Sequence, residues 1–318
     1  MATKTADAKS VTQSFGGVMI PENFEAVCTT GLDDVFKDSL KEPRQGMSYF
    51  KKVNMTKRSE KYQSYYGLGD VQQVRDGENI PSDEFGLGFD WTLTTSTFKG
   101  QIEITKDLIE DEMYGVINDR QQELTESFHR TRETILADVF NRALGTSGAQ
   151  FLCEDGMYLG DDARPNPYAL AGTWSNLESA GAITATSLFQ TQLNYRSYRN
   201  ERGQLTPLSL KKIVVRPQDE QTIWEILKTD RDVNTSINKK NYQQDRFEYE
   251  VYDHLTAAVA IFIANDANGA RNQLKFGDRI SPELTTEWDD QDVLTQRIRA
   301  RFGVGCGRPY IFRFQDVS

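Results

Sequence analysis

Phe85, Leu87, Phe89, Trp91 and Leu93 alternate without interruption with Gly86, Gly88, Asp90 and Thr92. A period of two puts every apolar side chain on one face of a strand. The run Tyr62–Tyr66 supplies a partner strand, and Gly67–Asp83, with its glycines, Asp-Gly and Ile-Pro, makes a long connecting loop. A two-stranded ribbon is only marginally stable in water. Whatever else this chain folds into, something must cover the apolar side of that hairpin.

The strongest helical signal follows it. Met113, Ile117, Leu124, Phe128, Ile135, Val139 and Ala143 recur at helical spacing, Leu136, Phe140 and Leu144 widen the stripe, and Gly145 offers a stop. These predict a long helix over Glu112–Leu144, with Gly115 setting off a short one over Leu108–Tyr114. His129 lies beside the stripe with no second His or Cys at ligand spacing, so a solvated or capping side chain is expected. After the loop-rich tract EDGMYLGDDARPNPYALAGTW, the second half reads as an α/β unit. It has a helix over Leu188–Tyr198 begun by Thr186 or Ser187, a strand over Leu210–Arg216, and a helix opened by Pro217 with Ile223, Trp224, Ile226 and Leu227 inward. Strands are expected at Phe247–Val251, Ala257–Ala264 and Gln273–Phe276. The first fifty residues show little periodicity beyond a short helix near Leu32–Leu40 and read as an arm ordered by a neighbour, or a tail.

Near the end, TQRIRARFGVGCGRPYIFRF (Thr295–Phe314) combines glycines with arginines. It has no Lys and no following helix to cradle a phosphate. Ile298, Ala300, Phe302 and Val304 fall on one side of a ribbon and Arg297, Arg299 and Arg301 on the other, which predicts strand, glycine turn, strand.

Composition narrows the function. A length of 318 residues suggests about two domains. The net charge of -10, from 47 acidic against 37 basic residues, argues against a protein whose main task is gripping nucleic acid. Cys28, Cys153 and Cys306 are odd in number and far apart, which predicts three free thiols in a reducing compartment. Met1–Ser14 lacks the apolar core of a signal peptide, and the apolar run Ala257–Ala264 is too short to span a bilayer, so no membrane is expected. His129 and His254 are the only histidines, neither in a nucleophile context, so no catalytic residue and no cofactor are expected. Glu287, Asp289, Asp290 and Asp292 lack the grammar of a calcium loop and read as a solvated acidic turn, as does Asp161-Asp162; no metal is expected.

The order of elements resembles the major capsid proteins of tailed phages, the Hong Kong 97 fold. Three stretches carry the likeness: KKIVVRPQDEQTIWEIL (Lys211–Leu227), FEYEVYDHLTAAVAIFIANDANGARNQLKFGDR (Phe247–Arg279) and DVLTQRIRARFGVGCGRPYIF (Asp292–Phe312). The resemblance implies an α+β subunit with an N-terminal arm (1–50), an extended β-hairpin loop (51–105) and a peripheral domain with a spine helix (106–181). An α/β axial domain (182–278) and C-terminal strands of the peripheral domain (279–318) complete it. It further implies a structural protein, not an enzyme, whose hexamers and pentamers close into an icosahedral shell around double-stranded DNA bound without specific recognition. The shell would be assembled in the host cytoplasm and located in the virion. A separate scaffolding protein, a portal and a decoration protein are the implied partners.

On this reading Phe85, Leu87, Phe89 and Trp91 are subunit-interface residues, as are Arg297, Arg299 and Arg301. The arginines pair with acidic groups across a subunit boundary, line the inner wall against DNA, or form a plain exposed face. The first is favoured, because a sparse stripe on an acidic chain makes a poor phosphate surface. Some family members weld the extended-loop Lys to a neighbouring Asn, but no Lys occurs from Tyr62 to Phe98. A shell without that cross-link is expected. The short polar lead also predicts no large N-terminal pro-region. Rival readings are an encapsulin-type compartment of the same fold, a metal-dependent hydrolase using the Glu287–Asp292 carboxylates, and a tail-tube or decoration protein.

Overall fold

The computed structural model describes residues 45–71, 73–77, 79, 82–83, 86–107, 114–145, 151–166, 172–231, 240–265, 274–289 and 293–318. The helices expected near Leu32–Leu40 and over Leu108–Tyr114 lie outside these residues, wholly for the first and nearly so for the second. So do Phe85, Met113, Asp290 and Asp292. The elements are β1 (Lys51–Asn54), β2 (Ser59–Tyr66), β3 (Gly86–Thr94), β4 (Ser96–Thr105), α1 (Tyr114–Asn141), β5 (Arg164–Pro165), β6 (Thr173–Trp174) and α2 (Ala185–Arg196). There follow β7 (Ser209–Val215), α3 (Glu220–Lys228), β8 (Glu248–Val251), β9 (Val259–Asn265), β10 (Leu274–Trp288), β11 (Val293–Cys306) and β12 (Phe312–Asp316). Among the described residues they form the sheets β1-β10-β11-β4 and β12-β9-β7-β8, the β2–β3 hairpin and the short β5–β6 pair, an α+β fold.

The first sheet is built on β11. Ile298, Ala300 and Phe302 are buried on the face that α1 covers, as the alternation demands. Phe302 stacks between Phe98 of β4 at 4.3 Å and Phe276 of β10 at 5.3 Å, and Phe128 of α1 meets it edge-on at 6.2 Å. The glycines do not make the expected turn. Gly303 and Gly305 lie within β11, because β3 passes too close for any side chain: a Cβ on Gly303 would sit 2.2 Å from the Thr94 carbonyl oxygen. β10 extends far beyond the expected Gln273–Phe276, reaching Trp288. Its outer half alternates half-buried and exposed residues, and its register shifts around Pro282, a residue that fits a strand only at such an irregularity. Glu287 is therefore on a strand and not in a turn.

On α1, Leu136, Val139 and Phe140 are buried as the stripe predicts, and so is Ala143 just past its end. In the preceding turns the most buried line is polar: Gln121, Thr125, His129 and Glu133, four residues apart. His129, expected to be a solvated or capping side chain, is 2% exposed, and its Nδ1 lies 3.1 Å from Arg132 Nη2. The position of the helix over β4 and β11 decides its burial, overriding residue polarity. Glu133 uses its burial, since its Oε2 accepts hydrogen bonds from the Gly46 backbone N–H (2.9 Å) and the Tyr252 hydroxyl (3.3 Å), tying the entering chain to the helix.

The second sheet carries α2 and α3 over a separate core. α2 starts one turn earlier than expected, at a capping box in which Thr184 Oγ1 accepts from Ser187 N–H and Ser187 Oγ from Thr184 N–H, both at 3.0 Å. Tyr195, fully buried, donates to the carbonyls of Phe262 (2.8 Å) and Ile311 (3.1 Å), fixing α2 on the sheet. Pro217 opens a single 3-10 turn before α3. Ile223 and Leu227 pack inward, but Trp224, expected inside, is 51% exposed. It neighbours Ile223 in sequence on a helix whose inward stripe is narrow.

Cys153 and Cys306 form a disulfide, which corrects the expectation of three free thiols. The partners are 153 residues apart, so spacing gave no sign of the bond. The end of β11 delivers Cys306 to the loop that follows α1. Arg164, wholly buried, organises that loop: it binds Asp155 through Nε and Nη2 (3.2 and 3.3 Å) and the Tyr158 carbonyl through Nη1 and Nη2 (3.1 and 2.8 Å).

Candidate assembly surfaces

The hairpin pairs Tyr62 with Trp91 and shifts register between Gln63 and Tyr65. Its base is well covered. Tyr62 and Trp91 stack at 5.1 Å, and Lys275 Nζ of β10 lies 3.6 Å from the Tyr62 ring centre and 5.1 Å from that of Trp91. Burial, and then the Lys51 charge, hold the Lys275 ammonium below its ordinary pKa. Leu93 is fully buried.

Cover then thins along the ribbon. Phe89 is half-buried, Leu87 is 72% exposed, and Tyr65, Leu68 and Val71 face water. The far loop turns back: Arg202 Nη1 donates to both carboxylate oxygens of Asp83 at 2.8 and 2.9 Å, and its guanidinium lies over the Tyr66 ring at 5.7 Å. In the single chain the loop expected over a neighbour is thus tied to its own 200–203 turn.

The face of the first sheet opposite α1 is charged. Antiparallel register sets Arg297 beside Gln101 and Thr285, Arg299 beside Lys99 and Glu283, and Arg301 beside Thr97. Arg297 pairs with Glu287 at 3.0 Å and Arg299 with Glu283 at 3.4 Å, both ion pairs half-exposed. Two of the three arginines expected to find acids across a boundary find them on the next strand of their own chain. At such exposure each pair contributes about 0–1 kcal/mol. Arg301 differs, having no carboxylate partner among the described residues. Its Nε is shielded from water and meets no acceptor.

Exposed apolar side chains that were not expected from the sequence lie on the α/β unit. Phe189 and Leu193 of α2, Trp224 of α3 and Tyr242 are exposed, with the Phe189 and Tyr242 rings edge to face at 6.1 Å. The signal was present, since Phe189 and Leu193 recur four residues apart on the side of α2 away from Leu188 and Tyr195.

Nothing comparable points to chemistry. Among the described residues no three His, Cys, Asp or Glu side chains gather as a metal would need, and the Glu287 carboxylate is engaged by Arg297. A cleft of about 520 Å³ is lined by residues that include Trp174, Tyr198, Arg199 and Arg313, and among the described residues its lining offers Ser175 and Ser197 no histidine or carboxylate. No helix among the described residues is long and apolar enough to cross a membrane.

A family model described as phage capsid protein matches residues 91–312, well over half of the chain. Among solved structures the chain is similar to one from the capsid of Cyanophage P-SCSP1u, with a TM-score of 0.56 and 10% identity over 85% of this chain and 86% of that one. It is also similar to one from the procapsid of bacteriophage JBD30 (TM-score 0.51, 14% identity, 94% and 77% covered) and one from Microbacterium phage Oxtober96 (0.50, 12%, 96% and 95%). A comparison with curated proteins found no match. At such identities the structural neighbours show a shared fold, and the family match adds membership: the fold is Hong Kong 97-like, and the chain belongs to the phage capsid protein family.

Proposed function

We propose that copies of this chain, a phage major capsid protein, associate as hexamers and pentamers of an icosahedral shell that encloses double-stranded DNA. In that shell α1 serves as the spine of a peripheral domain, residues 182–278 form the axial domain around the local symmetry axis, and the β2–β3 hairpin lies over an adjacent subunit. Arg297, Arg299 and Arg301 and the hairpin residues Phe85, Leu87, Phe89 and Trp91 belong to the subunit boundaries. The observation that carries the reading is the outer hairpin. Its strands are hydrogen-bonded to one another, yet Leu87 is 72% exposed on the ribbon's apolar side. A ribbon this exposed gains its stability from a surface supplied by another copy.

The partners follow from the same reading: a separate scaffolding protein during assembly in the host cytoplasm, a portal at one vertex, a decoration protein outside, and DNA held without base recognition. Negative-stain electron microscopy of the purified protein tests it. Closed shells of uniform size are expected, and a protein that remains monomeric at every concentration would refute it. Denaturing electrophoresis of the shells should give one band at 36.2 kDa, because no Lys lies between Tyr62 and Phe98 to form a covalent cross-link.

A further inference from the structure

The charged face of the first sheet is polarised from end to end. Near the hairpin junction, Arg301 is set beside Thr97 on β4, and the Arg58 carbonyl accepts from the Thr95 backbone N–H (2.9 Å) and hydroxyl (3.1 Å). Arg279 precedes Ile280, the residue of β10 in register with Arg301. Arg58, Arg279 and Arg301 have no carboxylate partner among the described residues. The charges that bear on the Arg301 guanidinium, after its partial burial, are those of Arg279, Arg299 and Arg58, all of its own sign, and they lower its pKa. At the opposite end, Glu103 of β4 lies beside Thr295, and Glu287 is the residue of β10 paired with Thr295. Glu103, Asp107, Glu287 and Asp289 are all exposed there. Glu103 lies six positions from Thr97 along β4, about 20 Å at strand rise, which exceeds the screening length of about 8 Å at physiological salt. The two ends cannot neutralise one another within one chain.

We propose that the Arg58, Arg279 and Arg301 cluster is a socket for the acidic end of the same sheet in a second copy of the chain, so that copies join head to tail through Glu103 and Asp107. The proposal rests on the shell reading above. A contact of this kind is heterologous and propagates from copy to copy until symmetry closes it. It brings an acceptor to the stranded Arg301 Nε and relieves repulsion among three guanidiniums, whose planar forks suit carboxylates. The alternative occupant, a DNA phosphate, is disfavoured because Glu283 and Glu287 stand on the same face.

Charge reversal tests the pairing. Arg279→Glu/Arg301→Glu and Glu103→Lys/Asp107→Lys should each cut the yield of particles at least about tenfold, and the chain carrying all four changes should recover most of it. Normal yields from both reversed chains would overturn the socket, as would failure of the fourfold variant to recover while wild-type particles form. Normal particles with reduced DNA content in the arginine variant would overturn it in favour of phosphate. Wild-type protein that never forms particles would overturn the shell reading as well. If circular dichroism shows the reversed chains unfolded, Arg301→Gln decides: its assembly should be weaker and less sensitive to added NaCl than that of wild type, and an unchanged salt dependence would overturn the socket.

Discussion

The α/β unit on the second sheet and the β2–β3 hairpin use the same kind of alternating strand, but they end in opposite conditions. In the former, Ile213, Val215, Ala260 and Phe262 are buried by α2 and α3 from the same chain. In the latter, cover fails a few residues beyond Trp91 and Leu93. The difference lies in what packs on the ribbon and not in the ribbon itself. One region spends its apolar surface on folding, and the other keeps it for association.

The sharpest way to break the contrast is in the α/β core. Phe262 is wholly buried, and its carbonyl receives the Tyr195 hydroxyl. Phe262→Ala should cost about 3–5 kcal/mol, enough to unfold much of the subunit. Denaturant unfolding of the soluble chain measures it, and a loss below about 1 kcal/mol would mean that this core is not the self-sufficient unit its packing describes.

Next in size is the disulfide, which joins the loop after α1 to the end of β11. Cys306→Ser should lower stability by about 2–5 kcal/mol under oxidising conditions and by little in reductant, because the bond mainly restricts the unfolded chain. Thiol titration of the denatured, unreduced wild type should find one free thiol, Cys28, per chain. Three would remove the bond from the account.

What the sequence revealed divides along the same line. The apolar end of α1 and the strands at Leu210 and Ala257 were legible because burial there follows hydropathy, and the hairpin strands because their alternation marks a strand even where its apolar side is uncovered. The outer half of β10 was not, since a strand with one charged face and a proline at a bulge mimics a loop. The polar buried line Gln121–Glu133 was hidden for the converse reason, as tertiary position overrode side-chain character. For the assembly surfaces, the arginine stripe was visible, but its division into two satisfied residues and one stranded residue depends on the register of β10 with β11. No local pattern encodes that register or the Cys153–Cys306 pairing.

A smaller effect, of opposite sign, is expected at Glu154 beside the disulfide. Burial raises its carboxyl pKa above the ordinary value, against the pull of Arg308. The folded state therefore holds this proton more tightly than the unfolded chain, and stability falls as pH rises from the unfolded pKa through the folded one. Glu154→Gln should stabilise the subunit at neutral pH, and the gain should vanish below about pH 4, where both states of the wild type are protonated. Thermal melts of both proteins across pH 3–8 give the profile. A gain independent of pH would trace to packing instead of charge.

The smallest effect on the isolated subunit separates the two regions most directly. Leu87 lies on the uncovered part of β3, 72% exposed, so Leu87→Glu should change unfolding free energy by no more than about 0.5 kcal/mol. Its effect on association should be large, because a carboxylate replaces an apolar contact at a surface that a neighbour would dehydrate. Unfolding of the unassembled variant and its sedimentation under assembly conditions are the paired measurements. Wild-type stability with loss of particles is expected. Loss of stability in the subunit alone would mean that the ribbon is already covered by its own chain, and normal particles from a stable variant would mean that this face meets water in the shell as well; either result would dissolve the distinction between the two regions.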